Sequence, residues 1–143
     1  MKVYAITDGF GLENLRQVER TQAEPGSGQV LLKIKAVSLN YRDLLVVKGA
    51  YNPKMPLPRV PCSDAVGEVV AVGPGVSRVK PGQRVAGIFM PGWLDGDLDD
   101  AKAKSALGGT VDGLLAEYAV LDESALVQVP AHLSDEEAAT LPC

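Results

Sequence analysis

The sequence has little of several residue types, and each shortage excludes a class of protein. Only two of its 143 residues are cysteines, Cys62 and Cys143, so a disulfide framework is not supported. Aromatic residues make up 5% of the chain and acidic residues outnumber basic ones by 18 to 14, which leaves no basic, aromatic surface for nucleic acid. No apolar run is long enough to span a membrane, and the N-terminal residues alternate like a strand instead of forming a signal peptide. We therefore expect a protein of the reducing cytoplasm.

Glycine and proline, by contrast, are abundant, with 15 and 10 residues. They form turn signals between segments that alternate or are rich in valine, as β-strands are. The strand-like segments are residues 1–7, 29–39, 64–73, 83–89, 114–122 and 125–130. Many short strands joined by tight turns predict a mainly β domain, either a small antiparallel barrel or a sandwich. A length of 143 residues and a hydrophobic fraction of 46% suit one such domain.

Two short segments have helix signals of the same kind. Asn40 precedes an apolar run and has Asp43 three positions later, while Ser134 precedes "DEEAA" and has Glu137 three positions later. An Asn or Ser followed at this spacing by an acidic residue is typical of a capping box. The second helix reaches the end of the chain at Cys143 after about one turn. We therefore expect the sequence to be part of a longer one.

Residues 90–109 differ from the rest of the chain. They contain the only tryptophan, Trp93, together with four aspartates and little periodicity. Such a segment is either an exposed, mobile loop or a lid over a binding site, because long loops in small domains often have a function. The only histidine, His132, follows a proline in a turn and is expected to be an ordinary surface residue.

Four stretches, taken together, resemble a known family. They are residues 26–51, 58–87, 112–121 and 130–143, and the most specific part is "GEVVAVGPGVSRVKPGQRV". Their order and spacing resemble the N-terminal, catalytic domain of the medium-chain dehydrogenase/reductase superfamily, which includes zinc alcohol dehydrogenases and zinc-free quinone oxidoreductases. The resemblance implies a GroES-like, partly open β-barrel with short helices over residues 1–143. It also implies that this barrel is incomplete without a C-terminal continuation, and that a Rossmann cofactor domain follows residue 143.

The resemblance also directs attention to the metal site of the zinc-dependent members. They have a cysteine where Asn40 stands and a His-Glu pair where Ser63 and Asp64 stand. Catalytic zinc takes three protein ligands, and asparagine and serine offer neither a thiolate nor an imidazole. Cys62 is one residue from the histidine position and would point to the opposite side of an extended segment. The sequence therefore predicts a site without metal.

Three consecutive residues at the start of the first helix are candidates for contact with a nicotinamide cofactor. The resemblance places Asn40 in the cleft near the nicotinamide as a catalytic and cofactor-binding residue; alternatively, Asn40 only caps the helix. Tyr41 is predicted to bind cofactor and faces either the barrel or the cleft. Arg42 is either a contact to a cofactor phosphate or a solvated helix residue. Many quinone reductases have a tyrosine where Leu45 stands, so a tyrosine acid at that position is not supported.

Further candidates follow along the chain. Tyr51 matches an aromatic residue that often lines the substrate cleft of the resembled enzymes, and its phenol is a candidate proton donor; alternatively it packs beside residues 52–57. Ser63 is a candidate catalytic residue that contacts substrate. Asp64 is expected to orient neighbouring groups, because an unpaired buried carboxylate is unfavourable. Trp93 either forms a wall of the substrate pocket or is a surface aromatic residue.

The function predicted on this basis is hydride transfer without zinc. The cofactor is NADP(H) or NAD(H), with NADP(H) preferred, and the substrate is a quinone, enone, aldehyde or alcohol. No Gly-x-Gly-x-x-Gly motif follows a strand, so the cofactor is expected to bind mainly to the missing domain. This chain alone would then be inactive, and the complete enzyme would be a homodimer or tetramer. The alternative function is a non-catalytic GroES-like module that binds a partner through open strand edges or the acidic loop 90–104.

Overall fold

The chain forms seven β-strands and three short α-helices in a computed structural model, which describes residues 1–143. In chain order the elements are β1 (Lys2–Ile6), a 3-10 turn (Leu12–Asn14), β2 (Leu15–Glu19), β3 (Gln29–Ser38), α1 (Tyr41–Val47), β4 (Asp64–Val72), β5 (Arg84–Gly87), α2 (Asp100–Ala103), β6 (Tyr118–Asp122), a second 3-10 turn (Glu123–Ala125), β7 (Leu126–Gln128) and α3 (Asp135–Ala139).

These strands make two antiparallel sheets. One contains β1 and β2, and the other has the order β6-β3-β4-β5-β7. Single bridges from Val3 to Ala116 and from Ile6 to Arg59 tie the small sheet to the rest of the domain. The strands β6 and β7 remain edges of the five-stranded sheet, so the barrel is open. The predicted mainly β, partly open architecture is confirmed.

The main core lies against the long central strands β3 and β4. It contains ten buried aliphatic residues: Val30, Leu32, Ala65, Val69, Val79, Val85, Leu107, Leu114, Leu121 and Leu126. Fully burying a side chain of this kind contributes about 1.5–3 kcal/mol relative to leaving it exposed. The alternation of β3 is the sequence feature that directs Val30 and Leu32 inward.

The pairing of β3 with β4 determines where the candidate residues lie. Ser38, the last residue of β3, pairs with Asp64, the first residue of β4. Because the strands are antiparallel, the segment leaving β3 and the segment entering β4 meet at the same end of the sheet. Asn40 and Ser63 are therefore brought to one place by the strand register.

Three local expectations need correction. The predicted strand 114–122 is a strand only from Tyr118, because the Leu114 amide donates to the Cys62 carbonyl at 2.8 Å instead of joining the sheet. The strand β2 was not expected, and its outward-facing polar residues explain why. The loop 90–109 contains the short helix α2, which Asp99 caps by accepting the Lys102 amide at 2.8 Å. None of the helices is both long and apolar enough to cross a membrane.

Candidate active site

The helix α1 begins at the meeting point of β3 and β4. Asn40 is its N-cap, in an extended conformation, and forms a capping box with Asp43. The Asp43 carboxylate accepts a 2.8 Å hydrogen bond from the Asn40 backbone amide. The predicted cap is confirmed, and it fixes Asn40 at the first turn of a helix that packs on the domain through Val46 and Val47.

The cap does not use all the polar atoms of these two side chains. Asn40 Nδ2 and Asp43 Oδ1 are buried, and neither has a hydrogen-bond partner in the domain. Buried polar atoms are nearly always paired, so the unpartnered Asn40 Nδ2 marks an incomplete site, whereas the Asp43 carboxylate has the Cys62 thiol beside it. Burial also raises the pKa of the Asp43 carboxyl, while the Asn40 amide and the Arg42 charge act in the opposite direction.

Cys62 lies against this turn, and the expectation that it points away from the site is corrected. Its φ angle is 69°, in the left-handed region, so the backbone turns at Cys62 instead of running extended. Its thiol lies beside the Asp43 carboxylate. Burial, followed by the Asp43 and Asp64 carboxylates, raises the pKa of Cys62 to about 12. The thiol is therefore protonated at neutral pH and is not a nucleophile.

Glycine is required where the chain passes over Cys62. A Cβ on Gly108 would lie 2.6 Å from the Cys62 nitrogen, and the φ angle of Gly108 is 68°. Both the space and the left-handed backbone exclude a larger residue. The end of the loop 90–109 is thus closely packed on the segment that enters β4.

Ser63 and Asp64 form a hydrogen-bonded pair without solvent exposure. Ser63 Oγ donates to Asp64 Oδ1 at 2.5 Å, and the Cys143 amide donates to Asp64 Oδ2 at 2.9 Å. Asp64 therefore orients its neighbours, as expected. Ser63 is fully buried with its proton directed to Asp64, and its contact with a substrate stays a prediction.

Arg42 is packed inside the domain and does not have the solvated environment considered for it from the sequence. Its guanidinium lies over the rings of Tyr51 and Phe89, 4.5 and 4.6 Å from their centroids. Arg42 Nη1 donates to the Leu107 carbonyl at 3.0 Å. Its Nε and Nη2 atoms are buried and have no partner. Arg42 is therefore not a solvated helix residue, and its contact with a cofactor phosphate stays a prediction.

The remaining candidates are at the surface. Tyr41 is 75% exposed beside the Asn40 cap, and Tyr51 is 45% exposed while one ring face covers Arg42. Trp93 is half-exposed, and its indole Nε1 donates to the Gly96 carbonyl at 2.9 Å within the loop. His132 is exposed, as predicted. The roles of Tyr41, Tyr51 and Trp93 in binding stay predictions.

The residues at the expected metal site do not suit zinc. Asn40 offers a carboxamide, and Ser63 offers a hydroxyl that already donates to Asp64. Both carboxylate oxygens of Asp64 already accept hydrogen bonds from the protein. No group of three or more His, Cys, Asp or Glu side chains is arranged to hold a metal ion. This donor set does not fit a catalytic zinc, which takes three nitrogen, sulfur or carboxylate ligands.

Three residues of the site were missed from the sequence. Cys143 reaches Asp64 through its backbone amide, and burial followed by the nearby Asp64 charge raises the pKa of its thiol. Phe89 and Leu107 contact Arg42 from the two ends of the loop. The only sequence signal for them is position: Phe89 lies two residues after the end of β5, and Leu107 precedes the Gly-Gly turn.

Comparison with known proteins places these features in a family. Residues 26–131 match the profile of the alcohol dehydrogenase GroES-like domain. A zinc-type alcohol dehydrogenase-like protein of Schizosaccharomyces pombe is 50% identical over 142 residues, which cover 98% of this chain and 41% of the relative. The chloroplastic quinone-oxidoreductase QR1 of Triphysaria versicolor is 35% identical over 136 residues, covering 94% of this chain and 36% of the relative.

A solved structure supports the same assignment. The crystal structure of an NAD-dependent alcohol dehydrogenase superimposes with a TM-score of 0.84 at 37% identity, covering 99% of this chain and 43% of that protein. The chain thus spans less than half the length of each of these proteins. The resemblance to the medium-chain dehydrogenase/reductase superfamily is confirmed. From the matching residues, the relatives and the open β-barrel together, this chain belongs to the alcohol dehydrogenase GroES-like domain family.

Proposed function

We propose that this chain is the substrate-side domain of an oxidoreductase that transfers hydride between a nicotinamide cofactor and a quinone, enone, aldehyde or alcohol without zinc. The names of the relatives, alcohol dehydrogenase and quinone oxidoreductase, support this class of reaction. The name of the fission yeast relative contains the word "zinc-type", which favours a metal. The zinc-free proposal therefore rests on the residues of the site.

One observation carries the zinc-free proposal. Asn40, Ser63 and Asp64 stand where the zinc-dependent members have Cys, His and Glu, and the side chains of Ser63 and Asp64 are bonded to each other. The second Asp64 oxygen accepts the Cys143 amide. A zinc ion would have to displace these hydrogen bonds and would gain weak oxygen ligands in return.

Asn40 is the residue we assign to the substrate oxygen. Its Nδ2 group is held at the helix cap and has no partner, so a carbonyl or hydroxyl oxygen would satisfy it. A donor aimed at an oxygen that gains negative charge stabilises the transition state. We assign Ser63 to positioning, because its hydroxyl fixes one oxygen of Asp64 and does not reach the surface.

Tyr51 is the residue we assign to proton supply. Its phenol is partly exposed, and the Arg42 guanidinium covers one face of its ring. A tyrosine in this position can donate a hydrogen bond or a proton to the substrate oxygen. Tyr41, exposed next to Asn40, is assigned to cofactor contact, and Trp93 to the outer wall of the substrate pocket.

The cofactor, when bound, supplies the redox chemistry. NADP(H) is our preferred cofactor over NAD(H) because the resembled zinc-free branch commonly uses it; the NAD-dependent relative leaves NAD(H) as the alternative. A cytoplasmic location and a dimeric or tetrameric enzyme stay predictions from the resemblance.

The test, on the complete protein, is oxidation of NADPH or NADH with a panel of quinones, enones and aldehydes, and reduction of NADP+ or NAD+ with a panel of alcohols. We expect turnover with at least one class, and no turnover from residues 1–143 alone. Silence across the whole panel would contradict the proposal and favour the non-catalytic binding module instead.

A further inference from the structure

The loop 90–106, which we call the entrance loop, has a narrow neck. Phe89 precedes the loop and Leu107 follows it, and the Leu107 amide donates to the Phe89 carbonyl at 3.1 Å. The side chain of Leu107 is buried in the main core. The two ends of the entrance loop are therefore joined to each other at the base, where the loop leaves the domain.

Arg42 contacts both ends of this neck from the helix α1. Its guanidinium stacks on the Phe89 ring at 4.6 Å and donates to the Leu107 carbonyl at 3.0 Å. The same guanidinium also lies over the Tyr51 ring, 4.5 Å from its centroid. A planar guanidinium can stack on two rings and keep an in-plane hydrogen bond, which a lysine ammonium cannot do.

Gly109 provides the space for this arrangement. A Cβ at Gly109 would lie 2.6 Å from Arg42 Nη2 and 3.6 Å from the Tyr51 ring. The backbone of Gly109 is not in the left-handed region, so an alanine there would displace the arginine side chain without straining its own backbone. The Arg42 guanidinium thus occupies the space that a side chain at residue 109 would fill.

Beyond the neck, the entrance loop is held by its own contacts. Lys102 Nζ donates to the carbonyl oxygens of Asp95 and Asp97 at 3.0 and 2.6 Å. Trp93 donates to Gly96, and the Gly92 amide donates to Ser105 Oγ at 2.9 Å. The loop therefore has internal order of its own, and its placement relative to the domain depends on the neck.

We infer that Arg42 is a positioning residue that locks the neck of the entrance loop and the Tyr51 ring to the helix carrying Asn40. Asn40 caps α1 and Arg42 lies two residues later in its first turn, so these contacts of Arg42 fix the distance between the proposed oxygen-binding group and the wall of the pocket. The inference deepens the proposed function, on which it rests for its effect on substrate selection. Its structural part concerns only the loop.

The structural part is tested by limited proteolysis of the complete protein. Lys104 lies in the entrance loop and is exposed. We expect Arg42→Met to speed tryptic cleavage after Lys104 about tenfold, since it removes two ring contacts and one hydrogen bond that hold the neck closed. Cleavage after Lys33, within β3, should stay slow, because rapid cleavage there would report global unfolding.

Arg78→Met is the matched control. Arg78 is an exposed arginine that also donates to a backbone carbonyl, that of Ser124 at 3.3 Å, but it has no aromatic partner. Its replacement should leave cleavage after Lys104 unchanged. Equal cleavage rates for Arg42→Met and Arg78→Met, with Lys33 protected in both, would overturn the inference.

The effect on substrate selection is tested by a double-mutant cycle in steady-state kinetics. We expect Gly109→Ala to raise KM about tenfold with a smaller change in kcat, because the methyl group displaces the guanidinium and with it Tyr51. Arg42→Met should have a similar effect, Arg42→Lys should not restore KM, and adding Gly109→Ala to Arg42→Met should change little.

Additive effects of the two substitutions would overturn the inference, as would full recovery of KM in Arg42→Lys. An inactive wild-type protein would refute the proposed function instead, and the cleavage rates would still decide whether Arg42 holds the neck. The failure of one proposal is thus distinguished from the failure of the other.

Discussion

The helices α1 and α3 begin with the same local motif but have different surroundings. Asn40 and Asp43 cap α1, and Ser134 and Glu137 cap α3. In α3 both halves of the capping box are made, at 2.9 and 3.1 Å, by residues at the surface. Asp43, in contrast, is 5% exposed, and the Asn40 carboxamide keeps a buried nitrogen without a partner.

The difference between the two caps distinguishes residues that only stabilise a helix from residues with polar atoms left for a ligand. Helix capping accounts for all the polar contacts of Ser134 and Glu137, so α3 needs no further explanation. Capping does not account for Asn40 Nδ2 or for the burial of Asp43 between Cys62 and Arg42. Native proteins retain such unpaired groups mainly where a ligand or a reaction uses them.

The largest expected effect is the loss of activity on replacing Asn40. In the complete protein, Asn40→Ala should lower kcat/KM by about 10²–10³-fold, the loss typical for removing one donor to a developing oxyanion. Its free energy of unfolding should fall by about 1 kcal/mol or less, because the Asp43 carboxylate still accepts the backbone amide of residue 40. Steady-state kinetics and urea unfolding measure the two quantities separately. If kcat/KM falls no further than the loss of folded protein explains, Asn40 acts only as a helix cap, as Ser134 does in α3.

Replacing Asp43 should mainly affect stability. Asp43→Ala removes the buried acceptor of the Asn40 amide, which we expect to lower the free energy of unfolding by about 2 kcal/mol. Asp43→Asn keeps an acceptor and should lose less.

The pH dependence of the Asp43 variants provides a check on this account. Burial raises the pKa of Asp43 above its value in the unfolded chain. The wild-type protein should therefore lose stability as the pH rises from the pKa of Asp43 in the unfolded chain through its raised pKa in the folded protein. Asp43→Asn should lack this slope in urea unfolding, and an identical slope in both proteins would refute the role of Asp43 burial.

Replacing Ser134 should have a smaller effect, confined to stability. Ser134→Ala removes a 3.1 Å hydrogen bond to the Glu137 amide, which should lower the free energy of unfolding by about 1 kcal/mol. Turnover at saturating substrate should be unchanged within error. A tenfold fall in kcat without unfolding would show that α3 also belongs to the site.

The smallest perturbation is alkylation of a cysteine, which compares the reactivity of Cys62, beside α1, with that of Cys143, after α3. Cys62 is buried beside Asp43 with a pKa of about 12, and Cys143, after α3, is exposed with a more modestly raised pKa. Iodoacetamide at pH 8 should therefore alkylate Cys143 and leave Cys62 unmodified, as peptide mapping by mass spectrometry would record. Modification of Cys62 at a rate equal to that of Cys143 would contradict its burial beside Asp43.

The sequence was sufficient for those features that local patterns determine. The alternation of residues 29–39 and the caps at Asn40 and Ser134 predicted β3, α1 and α3, because period and capping are encoded within a few residues. The open barrel came from the resemblance, since strand order depends on contacts far apart in the chain. The missing metal ligands were visible as single residue identities at Asn40 and Ser63.

What the sequence could not provide depends on long-range contacts. Arg42 was interpreted as either solvated or phosphate-binding, because nothing near it in the chain indicates that Phe89 and Leu107 come within reach. Cys62 was expected in an extended segment, and only the packing of Gly108 on its backbone explains the turn there. Side chains that depend on partners tens of residues away need the folded structure.

The most direct test of the zinc-free site is to measure metal content and activity together on one preparation of the complete protein. After dialysis against a strong chelator, elemental analysis and NADPH-dependent or NADH-dependent turnover are recorded on the same sample. We expect far less than one zinc per chain and undiminished turnover, because Ser63 and Asp64 are committed to hydrogen bonds and Asn40 offers only a carboxamide, which together make no zinc ligand set. One tightly bound zinc per chain, with activity that is lost on its removal and restored by its return, would contradict the account.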